Sequence, residues 1–492
     1  MKLIDLSRWV RSPLLHITLL GTLSWLAYLH LATTYPLEDF VRRYTLTDFG
    51  RVNDWKVATM LDFIATISAM LLFGLLAWCV LYRQPRNKKL FWLIFAFAVL
   101  FSSTLLTMYP ITSSDVFEYV FHSRILVHYG QNPLVVPPIA FKGDPFLRQI
   151  PWALHPSPYG PLWVLLTVPG SLLATNNFMV SLFMMKFMPL PFFLGCIFII
   201  AAILRLVDSK YQLAGTLLFA WNPLILLEAI GNGHNGLIMM FFALFAMYLL
   251  LKRHWVWVIP VLVAAVLIKW AIAILLIPFL IYCWRMQPDS RARWLYLAKT
   301  FAITAVMVLI LALPFLAIPT GLLEEANFYS LLAMPSVVYY FLKGIYGNNV
   351  AKVLTLSMGL AVYLIVYIIS LRSLLRKPEP RHLMLLSVFL IVAYFGIACV
   401  HFQPWFVVWP IALGIWINHA MVRRVLLVFT ASALFSYVAN FFWIWNYNVW
   451  QALQTNLVFV VVIFSPPIFI GVLNMLMQIL SQRMKYRQAL LD

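Results

Sequence analysis

A chain of 492 residues that is 63% hydrophobic and only 10% charged, with a mean hydropathy of +0.90, cannot be a water-soluble globule. Its 35 Lys and Arg against 16 Asp and Glu, +19 in all, would raise nucleic acid as a partner in a soluble protein. Here the cations stand mainly in short loops between apolar runs, so membrane orientation and anionic headgroups account for them and no nucleic acid is expected.

In chain order, Lys2, Arg8 and Arg11 precede an apolar run from Pro13 to Ala32 that reads as a retained signal anchor. A span needs about 20 apolar residues. Candidates follow at 57–82, 90–109, 161–206, 212–230, 237–252, 255–284, 295–317, 350–371, 382–400, 405–420, 424–446 and 455–480. Two of these are too long for one crossing. Residues 255–284 are expected as two short half-helices meeting near Lys269, and 161–206 either as one long helix with a re-entrant piece or as three short ones around Pro189 and Pro191. The expectation is an all-α polytopic membrane protein with about 14 spans, some broken or re-entrant. Cations put the loops at 83–89, 205–210, 252–253, 285–293, 372–377 and 423–424 inside, together with the tail's Arg483, Lys485 and Arg487. Loops 34–56, 110–160, 231–236, 318–349, 401–404 and 447–454 then lie outside, and 110–160 is large enough to carry surface helices. Cys79, Cys196, Cys283 and Cys399 all fall in apolar runs and read as small core residues.

A charge at membrane depth is expensive, so each needs a partner or a task. Asp62, Lys186, Glu228 and Lys269 are such charges. The segment SSDVFEYVFHSRILVHYGQNPL (113–134) adds Asp115, Glu118, His122 and Arg124 just beyond the span 90–109. As a helix lying along the surface it would show Asp115, Glu118 and His122 on one face. Asp115 and Glu118 also have the spacing of a helix cap and its reciprocal partner, which requires no catalysis. Tyr119, Tyr129, Tyr159 and Trp405 either stack on sugar or anchor the interface. His401 and Gln403 close the last outer cluster, HFQPW.

TSSDVFEY with SRILVHYGQNPL, then SPYGPLW, WNPLILLEAIGNGHNG, VLIKWAIAILLIPF and QPWFVVW occur in an order that resembles the bacterial polyprenol-phosphate-mannose-dependent mannosyltransferases of the glycosyltransferase C superfamily. The likeness runs from roughly residue 90 to 410, dividing the chain into an N-terminal hairpin (1–89), a catalytic membrane core (90–410) and C-terminal helices (411–492). It implies a glycosyltransferase C-type bundle in the cytoplasmic membrane, working at the outer face on a polyprenyl-phosphate sugar. Asp115 matches the general base, and Arg124 and Lys269, with His401, would meet the donor phosphate. Glu118, Tyr119, Tyr159, Glu228, His234, Asn235, Gln403 and Trp405 would line the substrates. Where relatives usually read GHND, this chain has Gly236, so a carboxylate able to hold a metal or an acceptor hydroxyl is absent. No metal ligands are assigned and no cofactor is named, though a divalent cation stays open.

Glycosyl transfer from a phosphate has an oxocarbenium-like transition state and a good leaving group. One base and cations near the phosphate are therefore enough, and a base opposite the leaving group inverts the anomeric carbon. The sugar is expected to be a hexose, mannose by resemblance, and the acceptor a glycan, glycolipid or wall polymer. A transporter or flippase of a lipid-linked saccharide is the alternative, since buried charges and broken helices serve transport as well.

Overall fold

The computed structural model describes residues 12–43, 52–174, 176–315, 321, 328–446 and 452–488, with side chains at 440–446 and 479–488 excepted. The cationic start at Lys2, Arg8 and Arg11, the tail cations Arg483, Lys485 and Arg487 as side chains, and parts of the outer loops 34–56, 318–349 and 447–454 lie outside these residues. The described residues are 80% helical, with no strand among them. An all-α polytopic bundle is therefore what this sequence forms.

Nine helices among the described residues are long and apolar enough to cross a bilayer. A tenth exists if Ser209–Ala220 and Pro223–Gly231, bent by 41° at their junction, count as one. The expected total of about 14 is not reached, because the remaining apolar segments form helices of 10–17 residues. Pro161–Ala174 is one of them, and Phe178–Val207 follows as a 30-residue unit interrupted at Met188, just before Pro189. Residues 255–284 break as expected: Trp255–Val266 ends, Lys269 has an extended backbone, and the chain resumes as a 3₁₀ turn at Trp270.

Two poles can be distinguished. At one, the first and third long helices are tied by Tyr109 N–H to Tyr35 O (2.7 Å) and Leu37 N–H to Thr107 O (2.9 Å). Ser330 N–H to Val400 O (2.9 Å) and Asn456 Nδ2 to Leu331 O (2.7 Å) join later loops there. At the other, Arg423 lies over Trp78, Tyr82 and Tyr211, Asn418 bonds Asp208, and Arg381 bonds the Asn418 carbonyl.

Two expectations are corrected. The helix Asp115–Val127 does not lie along the surface: every residue from Val116 to Ile125 is buried, packed beneath Pro161–Ala174 and Phe178–Phe187. Cys79 is exposed on its helix, whereas Cys196, Cys283 and Cys399 are buried. Of the charges expected at membrane depth, Asp62 is half exposed and bonded to His30 at 2.8 Å. Lys186 is fully buried, and its ammonium donates to the carbonyls of Leu105 and Met108 at the buried C-terminal end of the helix before the Asp115 segment. A cation there complements terminal carbonyls and the negative end of the helix dipole, so Lys186 is a structural pin.

Candidate active site

Asp115 is the first residue of its helix, where partial positive charge favours a carboxylate. Ser114 takes the cap position and its side chain makes no cap bond. The reciprocal cap does not form, because both carboxylates turn elsewhere. Asp115 Oδ1 accepts from Ser113 Oγ at 3.1 Å and Oδ2 from the Tyr159 hydroxyl at 2.9 Å. Its side chain keeps 21% of its surface open, enough for a ligand to reach it.

Glu118 is buried and accepts the Trp152 backbone N–H at 2.6 Å, pinning the far side of the outer loop. Burial pushes its carboxyl up to about 8, a rise that the Trp152 N–H opposes and the Asp115 charge reinforces. His122 is buried one turn on and is pushed down to about 4 by the same desolvation.

Tyr159 reaches Asp115 because the SPYGPLW turn docks on the broken helix. Gly160 N–H donates to Ile268 O and Leu162 N–H to Leu267 O, each at 3.0 Å. A side chain at Gly160 would place its Cβ 2.2 Å from Leu267 O, so only glycine permits this approach. Two residues beyond Leu267, the ammonium of Lys269 sits 4.4 Å from the ring centre of Phe406, 5.3 Å from Tyr159 and 5.4 Å from Trp409. Among the described residues it has no carboxylate within 4 Å and no hydrogen bond. A buried cation held only by π faces is available to an anion. Tyr119 backs this wall, its hydroxyl 3.3 Å from that of Tyr159 and its ring against Trp163.

On the other side of Asp115 lies the WNPLILLEAIGNGHNG segment. Asn222 caps a short helix by accepting from Leu224 and Ile225 N–H, Pro223 starts it, and it widens into a π turn over Leu226–Gly231 that turns Glu228 inward. Glu228 is almost fully buried, and its oxygens accept from Thr112, Asn232 Nδ2 (3.0 Å) and the Tyr437 hydroxyl (2.8 Å). His234 Nδ1 lies 3.1 Å from Glu228 Oε2, and its Nε2 lies 3.7 Å from Asp115 Oδ2. The Trp405 ring stacks on this imidazole at 4.5 Å. Asn235 is buried beside it, with Nδ2 unpaired. The His401 ring lies 6.3 Å from that of Phe406, one wall of the Lys269 cage, and Gln403 precedes the 3₁₀ turn that carries Trp405 and Phe406.

Arg124 is not brought to this centre. It lies roughly 13 Å along the helix from Asp115 at about 1.5 Å per residue. Its Nε bonds Asp144 Oδ2 at 2.5 Å, NH1 bonds Asn176, and the guanidinium covers Phe146. Asp144, which burial alone would raise, is held below the ordinary carboxylate range by hydrogen bonds from Tyr129, Arg124 and the Phe146 N–H. Tyr129 belongs to this knot too, stacked on Phe141 at 3.9 Å rather than open to a sugar.

Thr112, Asn232 and Tyr437 were not singled out from the sequence. The first two stand within quoted motifs, but Tyr437 is one aromatic in an apolar run and carries no local signal. Position 236 has a structural reason for its glycine: a Cβ there would lie 2.7 Å from Trp409 Nε1. The space a carboxylate would use holds an indole that also walls Lys269. Among the described residues no three His, Cys, Asp or Glu side chains form a group able to hold a metal.

The family described as alpha-(1→6)-mannopyranosyltransferase, N-terminal domain, matches residues 21–287, more than half of the chain. The chain belongs to that family. The match takes in Asp115, Tyr159, Glu228, His234 and Lys269, while Trp405, Phe406, Trp409 and Tyr437 complete the centre from outside it. Among relatives, the alpha-(1→6)-mannopyranosyltransferase A of Mycobacterium tuberculosis is 23% identical over 363 residues, covering 69% of this chain and 68% of that protein. No solved structure matches this mannosyltransferase.

Proposed function

We propose that this membrane mannosyltransferase moves mannose from a polyprenyl-phosphate donor to an acceptor hydroxyl, with inversion, at the outer face of the cytoplasmic membrane. The observation that carries the reading is the single tyrosine between acid and cation: Tyr159 gives its hydroxyl to Asp115 and its ring to Lys269. Asp115 takes the proton of the attacking hydroxyl, whose oxygen bonds the anomeric carbon as the bond to phosphate oxygen breaks. Lys269 meets the charge growing on the departing phosphate, which is worth most in a water-poor pocket. His401 and Gln403 stand beside that cage, where they would meet phosphate or sugar hydroxyls, and Trp405 offers an aromatic face. Arg381 and Arg423 meet Asn418, Trp78, Tyr82 and Tyr211 and make no contact with this centre, and cationic loops are expected on the inner face, which supports an outward-facing site. Trp255–Val266 is about 18 Å long, so a helix starting at the inner boundary delivers Lys269 to the outer half of a bilayer about 30 Å thick. A prenyl tail can stay in lipid while its phosphate reaches that depth.

Inversion with an α-linked product, the linkage in the family's description, requires a β-linked donor. The test places the purified protein in liposomes with α- and β-linked polyprenyl-phosphate mannose and a membrane-extract acceptor, and analyses products by mass spectrometry. Transfer from the β anomer, lost in Asp115→Asn, is expected. Movement of intact lipid across the bilayer with no cleavage of the sugar–phosphate bond would replace this reading with transport.

A further inference from the structure

Glu228 and His234 do not fit the role of groups that grip substrate. Every side of the Glu228 carboxylate is taken: Thr112, Asn232, Tyr437 and His234 all point at it, and it is almost fully buried. His234 is buried as well, with Trp405 across its face. What the imidazole does face is Asp115. Its Nδ1 lies 3.1 Å from Glu228 Oε2 and 3.2 Å from the Glu228 carbonyl, two oxygens that can only accept, so the ring proton belongs on Nδ1. Nε2 then turns a lone pair toward Asp115 Oδ2 at 3.7 Å and has no hydrogen-bond partner. Two acceptors face one another across a short gap. That contact becomes a hydrogen bond only when a proton arrives between them, which is the event that general-base catalysis at Asp115 produces.

We propose that His234, oriented by Glu228, is a proton-relay group behind Asp115: the acceptor's proton passes to Asp115 and is then shared with, or handed to, His234 Nε2. The inference rests on Asp115 being the base. The acceptor oxygen bonds the anomeric carbon, the electron pair of the broken bond leaves with phosphate, and the proton ends on the Asp115–His234 pair. An imidazolium formed there is held by the Glu228 carboxylate and by the π face of Trp405. The other charged or titratable groups packed round it are already engaged: Lys186 with the Leu105 and Met108 carbonyls, Tyr437 with Glu228, and Tyr159 with Asp115. His234 and Glu228 act through Asp115, so both are positioning residues.

The test measures kcat and KM against pH for the full-length protein in liposomes, as wild type, Asp115→Asn, His234→Gln and Glu228→Gln, each checked for folding by thermal unfolding in detergent. His234→Gln is expected to lower kcat roughly 100-fold while donor KM holds. Its acid limb should move to lower pH by roughly one unit or more, because the proton-binding pair has become a lone carboxylate. Glu228→Gln, which offers Nδ1 a donor and so favours the opposite tautomer, should lower kcat by about 10- to 100-fold with KM held. A His234→Gln profile with the wild-type acid limb would overturn the relay even if kcat fell, since a packing role leaves the limb in place. Glu228→Gln with wild-type kcat would overturn its orienting role. Near-normal turnover in Asp115→Asn would instead remove the base assignment, a failure distinct from either.

Discussion

Arg124 and Lys269 look alike in the sequence, each a lone cation among apolar residues, yet the fold treats them in opposite ways. Around Arg124 it builds a knot in which Asp144 answers the charge, Asn176 takes a second hydrogen bond, and Phe146 covers the guanidinium. Around Lys269 it builds three aromatic walls and, among the described residues, supplies no anion. The difference teaches that a buried charge marks a functional site only when its counter-charge is missing. A satisfied ion pair holds a loop in place, whereas an unsatisfied cation keeps a place for something that is not part of the chain.

The largest effect expected from breaking this contrast is on stability, at the knot. Asp144→Ala leaves the Arg124 guanidinium buried and unpaired, which should destabilise the protein by about 3–5 kcal/mol, read as thermal unfolding in detergent. Adding Arg124→Met to the same variant should return most of that loss, because removing both partners removes the unpaired charge. Next comes activity, at the cage. Lys269→Gln should reduce kcat roughly 10²- to 10³-fold in the liposome assay while thermal unfolding is unchanged; loss of fold with retained specific activity would place Lys269 with Arg124 as a structural cation. The smallest effect is a change of slope at Glu118, which belongs to neither class because it is buried with one oxygen idle. Its carboxyl is raised from 4.5 to about 8, so folding favours the protonated form. That stabilisation is fully present below pH 4.5 and is lost as pH rises through about 8. Melting temperature measured across this window should fall less steeply in Glu118→Gln than in wild type.

The sequence carried the all-α membrane class and the break at Lys269, since each follows from hydropathy and helix length. It also placed Asp115, Tyr159, Glu228, His234, Lys269 and Trp405 on one list, and these residues do meet. What it could not carry is anything set by tertiary partners. Arg124 shares a helix with Asp115, and only the course of the loop through Asp144 shows that its charge is already answered. The Asp115–Glu118 spacing fits a helix cap, but Tyr159 and Trp152, more than 30 residues downstream, claim the two carboxylates. Tyr437 completes the Glu228 cluster from a stretch where nothing distinguishes it from its neighbours. The burial of the helix Asp115–Val127 was equally hidden, because the residues that cover it belong to segments read as separate passes.

The backbone contact at Gly160 has one more consequence. Its amide fastens the turn that holds Tyr159 against Asp115 to the very stretch from which Lys269 projects. The two jaws of the pocket are therefore set like fixed calipers, with their gap written in main-chain geometry. Opening one jaw without the other would require breaking these main-chain bonds.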